Sequence, residues 1–301
     1  MGECRFQNNN IHITEERKKM GYVEGFLEYP GGLKIRYRLA KNPGHMPVVL
    51  VHDMGERLEM YEYLFPRFSA SGFTLNAIEL RGHGQSDGQY GHIDDFKWYC
   101  RDLKRLVTGH LQGTAPVLLG CGAGGLIAAR VAQDERIQLS GLVLVSPMLK
   151  LQMKPATRLL VQAGGVLLPG MRIRLNREGP GVLTGEDVFR AMLRDEEKRT
   201  AQGVTLSFLK AYFREQKKFR RNAGVLKRMP VLLMLAGRDS MVDTVNVEEM
   251  MSVMMKGHDE FTLEQYNEGL HSLLFDEKRD EYVSDIISWL KKIDPVKNVK
   301  K

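Results

Sequence analysis

Short apolar runs alternate with amphipathic stretches along most of the chain. Runs of a few apolar residues bounded by turn formers are typical of buried strands, whereas apolar residues spaced three and four apart indicate helices. The strand pattern recurs at 47–51, 73–80, 117–119, 142–146, 230–236 and 261–266, and the helix pattern at 61–71, 94–111, 126–129, 245–256 and 278–293. Two alternating stretches around Pro30-Gly31-Gly32 add a hairpin. This order predicts an α/β fold whose mostly parallel central sheet has about eight strands and is flanked by helices.

Residues 149–228 interrupt this alternation. They have no buried-strand pattern, but 204–219 has helical spacing and 159–171 is an apolar stretch rich in glycine. We therefore expect a helical cap at 149–228, inserted into a core formed by 1–148 and 229–301. Residues 151–228 hold 17 Lys and Arg against 7 Asp and Glu, so this part is strongly basic although the whole chain has a net charge of only +7.

Composition narrows the class of protein. A chain of 301 residues with 43% hydrophobic and 27% charged residues is typical of an ordinary globular protein. The amino terminus lacks the apolar region of a signal peptide, and no apolar run approaches the roughly 20 residues that span a bilayer. The three cysteines lie far apart, without metal-ligand spacing, which predicts reduced thiols and no metal site. These features predict a cytoplasmic location.

The basic segment allows two interpretations. Clustered positive charge favours anionic lipid surfaces or anionic substrates, so peripheral contact with an anionic membrane is one expectation. Solvated helix faces without a specific partner would produce the same composition. Nucleic acid is not expected as a partner, because no matching module or aromatic stacking motif is present.

The strand at 117–119 runs into a turn of small residues and then into a helix. The small residues are Gly120, Gly122, Ala123, Gly124 and Gly125. One interpretation is a dinucleotide-binding loop, because the turn matches G-x-G-x-x-G. That loop normally follows the first strand, and an acid normally ends the next strand. Here other strands come first and the next strand ends in Ser146-Pro147, which disfavours a nucleotide.

The second interpretation is a nucleophile elbow, G-x-S-x-G, whose serine position is occupied by Gly122. An elbow predicts an acid and then a histidine, each after a late strand. Asp239 follows the strand at 230–236, and His271 follows the strand at 261–266. A buried carboxylate that orients an imidazole is the acid-base pair such chemistry needs. We therefore favour the elbow.

Five sequence motifs follow one another along the chain: V-L-V-H-D-M-G-E, R-G-H-G-Q-S-D-G, L-L-G-C-G-A-G-G-L-I-A-A-R, L-V-L-V-S-P and A-G-R-D-S-M-V-D. Through these motifs the chain resembles α/β-hydrolases of the monoacylglycerol lipase, lysophospholipase and serine aminopeptidase-like group over about residues 22–293. The stretch 195–210 is similar to cap helices of that group. The resemblance implies Gly122 at the nucleophile position, Asp239 as acid and His271 as base. It also implies oxyanion-hole amides from Met54 and Ala123, and no metal or cofactor.

Three residues depart from the pattern of that group. Gly122 stands where the group has serine, so the attacking atom is missing. Cys121 replaces a histidine, and the geometry of the turn points it away from the site. Asp53 replaces a glycine: its carboxylate would oppose the developing negative charge if it pointed into the oxyanion hole, and would be harmless if it pointed outward.

The resemblance implies a carboxylic ester hydrolase scaffold for a monoacylglycerol, a lysophospholipid or a similar acyl substrate. The missing serine leads us to expect an inactive or strongly impaired enzyme, which Gly122→Ser would restore. The alternatives are a lipid-binding or scaffold pseudoenzyme and, less favoured, an Asp239-His271 dyad that acts directly on water or on a substrate proton.

Overall fold

The computed structural model describes residues 21–41, 46–175, 183–187, 189–192 and 203–294. The amino-terminal segment, the lysine-rich tail at 297–301 and residues 195–202 of the stretch that resembles cap helices lie outside these ranges.

Eight strands of the described residues form the central sheet: β1 (Tyr22–Glu28), β2 (Lys34–Ala40), β3 (Met46–Val51), β4 (Phe73–Ile78), β5 (Val117–Cys121), β6 (Gly141–Val145), β9 (Val231–Arg238) and β10 (Phe261–Leu270). Their order across the sheet is β1-β2-β4-β3-β5-β6-β9-β10. The hairpin β1-β2 is antiparallel and joins β4 in antiparallel fashion, while all other neighbours are parallel. This sheet and its flanking helices confirm the predicted α/β-hydrolase fold.

The helices cover both faces of the sheet. They are α1 (Leu64–Ala70), α2 (Lys97–His110), α3 (Gly122–Ala132), α4 (Pro155–Leu167), α5 (Leu206–Arg221), α6 (Thr244–Met254) and α7 (Arg279–Ile293), with short 3-10 turns at Leu58–Tyr61, Ala223–Arg228 and Leu273–Phe275. Side chains alternate along each strand, so β3 sends Val49 and Val51 into one core and Val48 and Leu50 into the other. The first core packs beneath α2 and α3, and the second beneath α1 and α7.

Between β6 and β9 the chain forms α4, α5 and a short antiparallel ladder, β7 (Arg172–Ile173) with β8 (Val204–Thr205). The ladder differs from the sequence-based expectation, which placed no strand in this segment. The helix α4 also differs, because the sequence indicated only an apolar stretch at 159–171. Glu215 of α5 accepts a hydrogen bond from Arg130 of α3 at 2.7 Å, which ties this segment to the sheet layer. The boundaries of a separate cap at 149–228 stay a prediction.

Candidate active site

The predicted site residues meet beyond the carboxyl ends of the parallel strands. Asp53 and Met54 follow β3, Gly122 and Ala123 follow β5, Asp239 follows β9, and His271 follows β10. Parallel strands end at the same edge of a sheet, which explains why residues so distant in sequence come together.

Gly122 is the first residue of α3 and has a φ of +50°, the left-handed backbone that an elbow apex requires. A Cβ atom added at this position would overlap all three atoms of the Asp53 carboxyl group. The carboxyl group of Asp53 therefore occupies the space into which a serine side chain at the elbow would project.

Asp53 points into the site, which decides between the two orientations that the sequence left open. Its Oδ1 accepts hydrogen bonds from the backbone N–H groups of Met54 and Ala123, both at 2.6 Å. These are the two amides that the resemblance implied for an oxyanion hole. Both N–H groups converge on one oxygen, and that oxygen belongs to the protein itself.

His271 lies between two carboxyl groups. Its Nδ1 is 2.8 Å from Oδ2 of Asp239, and its Nε2 is 2.9 Å from Oδ2 of Asp53. Asp239 is in turn fixed by the backbone N–H groups of Met241 and Val242, each donating to its Oδ1 at 2.8 Å. The structure thus brings Asp239 and His271 together, and Asp53 contacts the ring nitrogen that would face a serine hydroxyl.

Electrostatics favour a charged imidazole here. Burial by itself would lower the pKa of His271, but the Asp239 and Asp53 carboxyl groups outweigh it and hold that pKa well above its usual value. An imidazolium donates from both ring nitrogens, which matches one acceptor on each side. In this state His271 cannot take a proton from a nucleophile.

Glu56 is a site residue that the sequence analysis missed. Its Oε2 accepts hydrogen bonds from the backbone N–H of Asp53 at 2.8 Å and from the hydroxyl of Tyr61. Burial and the nearby Asp53 carboxyl raise the pKa of Glu56 to about 8. An acid three residues after Asp53 in a glycine-containing turn is the signal that could have pointed to it, since this spacing lets a side chain bond back to a backbone N–H.

His52 holds the backbone of this turn. Its Nδ1 lies 2.7 Å from the carbonyl oxygen of Asp53, and its Nε2 accepts from the backbone N–H of Leu80 at 2.9 Å. One ring nitrogen must therefore donate and the other accept, which fixes the neutral tautomer with the proton on Nδ1. Burial lowers the pKa of His52 to about 4, in keeping with a neutral ring.

Cys121 and His83 have partners other than Asp53, Asp239 and His271. Cys121 is buried beside Tyr61 in the core under α1, where burial and then Glu56 raise its pKa well above the usual value. Both ring nitrogens of His271 are already bonded, so neither is available to activate this thiol. Nδ1 of His83 lies 3.0 Å from the carbonyl oxygen of Arg81, and the His83 ring packs edge-on against the ring of His52. These contacts are typical of a structural loop histidine.

Two cavities border the site, and a third adjoins one of them. One of about 10 Å³, close to the volume that holds a water molecule, is bordered by Asp53, Glu56, Gly122 and His271. A second, of about 40 Å³, adjoins the other side of Asp53 and His271 and is bordered by Leu175 and Met241, among others. Leu175 and Met241 also line a third cavity of about 450 Å³ beneath α4.

The fold and the position of this site define an α/β-hydrolase with a lipase- and esterase-like scaffold. Residues 43–278 match the family described as serine aminopeptidase, S33, and the chain belongs to that family. The match covers most of the chain and includes all five predicted site residues.

Several proteins of similar sequence are named lipases or phospholipases. The chain is 28% identical to phospholipase YtpA of Bacillus subtilis over 66% of its own length and 78% of that protein. It is 31% identical to the monoglyceride lipase of Mus musculus over 44% of its length and 46% of that protein. The chain therefore spans less than half of the mouse lipase it resembles.

Solved structures share the fold. The monoacylglycerol lipase of Paleococcus ferrophilus superposes with a TM-score of 0.72 at 22% identity, over 90% of this chain and 99% of that one. A soluble variant of the Saccharomyces cerevisiae monoglyceride lipase gives 0.73 at 17% identity, over 96% and 99%.

In the part of the chain that the structure describes, no helix has the length and apolar character to cross a membrane. Among the same residues, no group of three or more His, Cys, Asp or Glu side chains has an arrangement that could hold a metal ion.

Proposed function

We propose that this chain binds a lipid-like ligand on a hydrolase scaffold and does not cleave carboxylic esters by the serine mechanism of its family. The observation that carries the proposal is the Asp53 carboxyl group, which fills the space above Gly122 and accepts from the amides of Met54 and Ala123.

Each step of acyl-serine chemistry meets an obstacle. Gly122 has no attacking atom, and His271 is held as an imidazolium by Asp239 and Asp53. The two N–H groups that would stabilise a tetrahedral oxyanion already bind Asp53 Oδ1. A carboxylate in this place also repels the negative charge that develops on an ester under attack.

The large cavity supports a lipid-like ligand. Its walls are mostly apolar, and its volume of about 450 Å³ lies within the range of small-molecule sites. The lining includes Met153, Leu160, Val161, Leu168, Met171, Ile173 and Leu206. Relatives named phospholipase and monoglyceride lipase support a glycerolipid or lysophospholipid as ligand.

The Asp239-His271 dyad is a weaker candidate for direct action on water or on a substrate proton. Both ring nitrogens of His271 already contact carboxyl groups, so no nitrogen faces a water molecule while Asp53 keeps its position.

We also propose that α4 contacts an anionic membrane surface. Large apolar side chains are exposed along and just after this helix: Leu159, Leu160, Val166, Leu167, Leu168 and Met171. The surrounding segment 151–228 is strongly basic, so apolar insertion and attraction to anionic lipid would act together.

The first test distinguishes the effect of Gly122 on ester hydrolysis from the effect of Asp53. The overlap with Asp53 means that Gly122→Ser alone should neither label with a fluorophosphonate nor hydrolyse a p-nitrophenyl ester, contrary to the expectation from sequence. Asp53→Gly with Gly122→Ser clears the overlap and frees the amides and His271. We expect this double variant to label and to exceed either single variant by about 10³-fold or more in ester hydrolysis.

Asp53→Gly alone is the control for opening the site without a nucleophile. Strong labelling of the unmodified chain, or equal activity of Gly122→Ser and the double variant, would contradict the proposal. Ligand binding is measured by equilibrium dialysis with a non-hydrolysable monoacylglycerol ether. Val161→Trp should abolish it by filling the cavity, whereas Val253→Trp on the exposed side of α6 should not.

A further inference from the structure

We propose that Asp53 is a carboxylate nucleophile for saturated carbon, and that the substrate class is a terminal alkyl epoxide opened to a diol. This activity goes beyond ligand binding: the reactivity rests on the contacts of the Asp53 side chain, and only the choice of an alkyl substrate rests on the large cavity of the proposed function.

The two oxygens of Asp53 have different surroundings. Oδ1 is held at 2.6 Å by the N–H groups of Met54 and Ala123, while Oδ2 lies 2.9 Å from Nε2 of His271. Attack of Asp53 on an ester carbonyl would create an oxyanion with no donors left to stabilise it, because Oδ1 occupies the amides. Attack on a saturated carbon creates no such oxyanion, so the same contacts permit it.

The first step forms an ester on the protein. Oδ2 supplies an electron pair to the terminal epoxide carbon, the ring C–O bond breaks, and the ring oxygen receives the proton from Nε2 of His271. The imidazolium is already charged before the reaction and lies next to the attacking oxygen. The product is a 2-hydroxyalkyl ester of Asp53 beside a neutral His271.

The second step hydrolyses that ester. Esterification removes the charge of Asp53, one of the two carboxyl groups that hold His271 protonated, and Nε2 has already given away the proton with which it bonded Oδ2. The lone pair on Nε2 is therefore free, and the neutral ring can take a proton from water. The hydroxide attacks Cγ of Asp53, and the resulting oxyanion is Oδ1, which already accepts from Met54 and Ala123. Collapse of this tetrahedral intermediate breaks the bond between Cγ and Oδ2. The departing alkoxide takes the proton from Nε2 of His271 and becomes the diol. The regenerated carboxylic acid of Asp53 then returns a proton to the ring.

The cavities match this sequence of steps. The cavity of about 10 Å³ beside Gly122 touches both Asp53 and His271, so a water molecule there borders the base and the carbon that it attacks. The cavity of about 40 Å³ adjoins the same two side chains from another side and shares Leu175 and Met241 with the large apolar cavity. An alkyl chain in the large cavity would direct its epoxide to Asp53. The absence of a side chain at Gly122 makes room for both the carboxyl group and the water.

The test uses the full chain and 1,2-epoxydecane in ¹⁸O-labelled water. In a single turnover the diol should contain no ¹⁸O, and the peptide that contains Asp53 should gain one ¹⁸O atom by mass spectrometry, because water attacks Cγ of Asp53. Label in the diol, or no diol above the rate of Asp53→Asn, would overturn the proposal.

A second experiment avoids the need for a proton donor. The variant His271→Gln is treated with 1-bromodecane, whose bromide leaves without a proton, and the alkyl ester should accumulate because no base remains to hydrolyse it. Intact-mass and peptide analysis should place one decyl group on Asp53 and none in Asp53→Asn with His271→Gln. Alkylation of Glu56 or Cys121 instead would refute the assignment. Circular dichroism of each variant checks folding, and the ¹⁸O result on the unmodified chain stands without any variant.

Discussion

At the scale of single residues, Gly122 and Asp53 form a coupled pair. Gly122 has no side chain, and the carboxyl group of Asp53 fills the volume that a side chain at Gly122 would need. Glu56 helps to hold the backbone of Asp53 in place, because its Oε2 accepts a hydrogen bond from the backbone N–H of Asp53. Three carboxyl groups, those of Asp53, Glu56 and Asp239, thus lie around His271, and Glu56 is the one whose pKa is raised to about 8.

Glu56→Gln should change how stability depends on pH. An acid whose pKa rises from 4.5 to about 8 on folding binds more protons in the folded state over this interval, so the folded protein loses stability as pH rises from about 4.5 to 8. A glutamine keeps an oxygen acceptor for Asp53 N–H and Tyr61 but does not titrate. The free energy of unfolding of Glu56→Gln minus that of the unmodified chain should therefore increase with pH, by on the order of a few kcal/mol.

Urea unfolding at several pH values between 4.5 and 8 measures this difference. Glu249→Gln, an exposed glutamate on α6, is the matched control and should give a nearly constant difference. A difference for Glu56→Gln that does not change with pH would show that burial does not shift its titration.

At the scale of elements, the packing of α3 on β3 positions the site. Gly124 lies in the first turn of α3 against the backbone carbonyls of Val51 and His52, so the helix approaches the strand more closely than any side chain would allow. This approach brings the N–H of Ala123 to Asp53, which follows the same strand.

Gly124→Ala should push α3 away from β3. The added Cβ meets backbone oxygen atoms that cannot turn aside, so we expect a loss of about 2–3 kcal/mol in the free energy of unfolding. Gly109→Ala on α2 is the control: a Cβ there has no neighbour within 4 Å, and alanine should stabilise the helix by about 0.5–1 kcal/mol. Denaturant unfolding of both variants checks the pair. Similar effects from the two substitutions would contradict the close packing at Gly124.

At the scale of the whole molecule, the segment between β6 and β9 combines a large apolar cavity, exposed apolar side chains and a positive charge that exceeds the net charge of the whole chain. The cavity lies beneath α4, and Leu160 and Leu168 belong both to its lining and to the exposed set. A ligand that leaves a membrane at this surface would therefore meet the cavity directly.

Vesicle binding tests the surface around α4. The unmodified chain should sediment with vesicles of phosphatidylserine and phosphatidylcholine, and added salt should weaken this binding because it screens the basic segment. Leu160→Ser with Leu167→Ser should reduce the partition coefficient by at least about tenfold, since burial of each leucine contributes roughly 1.5–3 kcal/mol. Val253→Ser, at an equally exposed apolar residue on α6, should leave binding unchanged. Equal loss in both variants, or no binding of the unmodified chain, would exclude α4 as the contact.

Most of the central sheet was predictable because its strands carry a strong apolar signal and its helices bury one face. In the helix pattern at 94–111, for example, the apolar positions Phe96, Tyr99, Cys100, Leu103 and Val107 are all buried. The segment around α4 gave a weaker signal, because only Val161 and Gly165 of this helix are buried and no core stripe appears in its sequence. The two-residue ladder β7-β8 depends on tertiary contacts, such as the hydrogen bond from Arg172 to the carbonyl of Gly203, and has no periodicity to detect.

The sequence by itself determined where the site lies. Strand-forming runs fix the carboxyl ends of β5, β9 and β10, and parallel pairing brings the residues that follow them, Gly122, Asp239 and His271, to one edge. Only the tertiary structure decided what occupies this edge. Asp53 and Ala123 are 70 positions apart, and the direction of the Asp53 side chain depends on N–H donors, an imidazole and free volume that come together only when the strands have paired. A rotamer set by such distant partners leaves no pattern in the local sequence, which is why the orientation of Asp53 had to be seen.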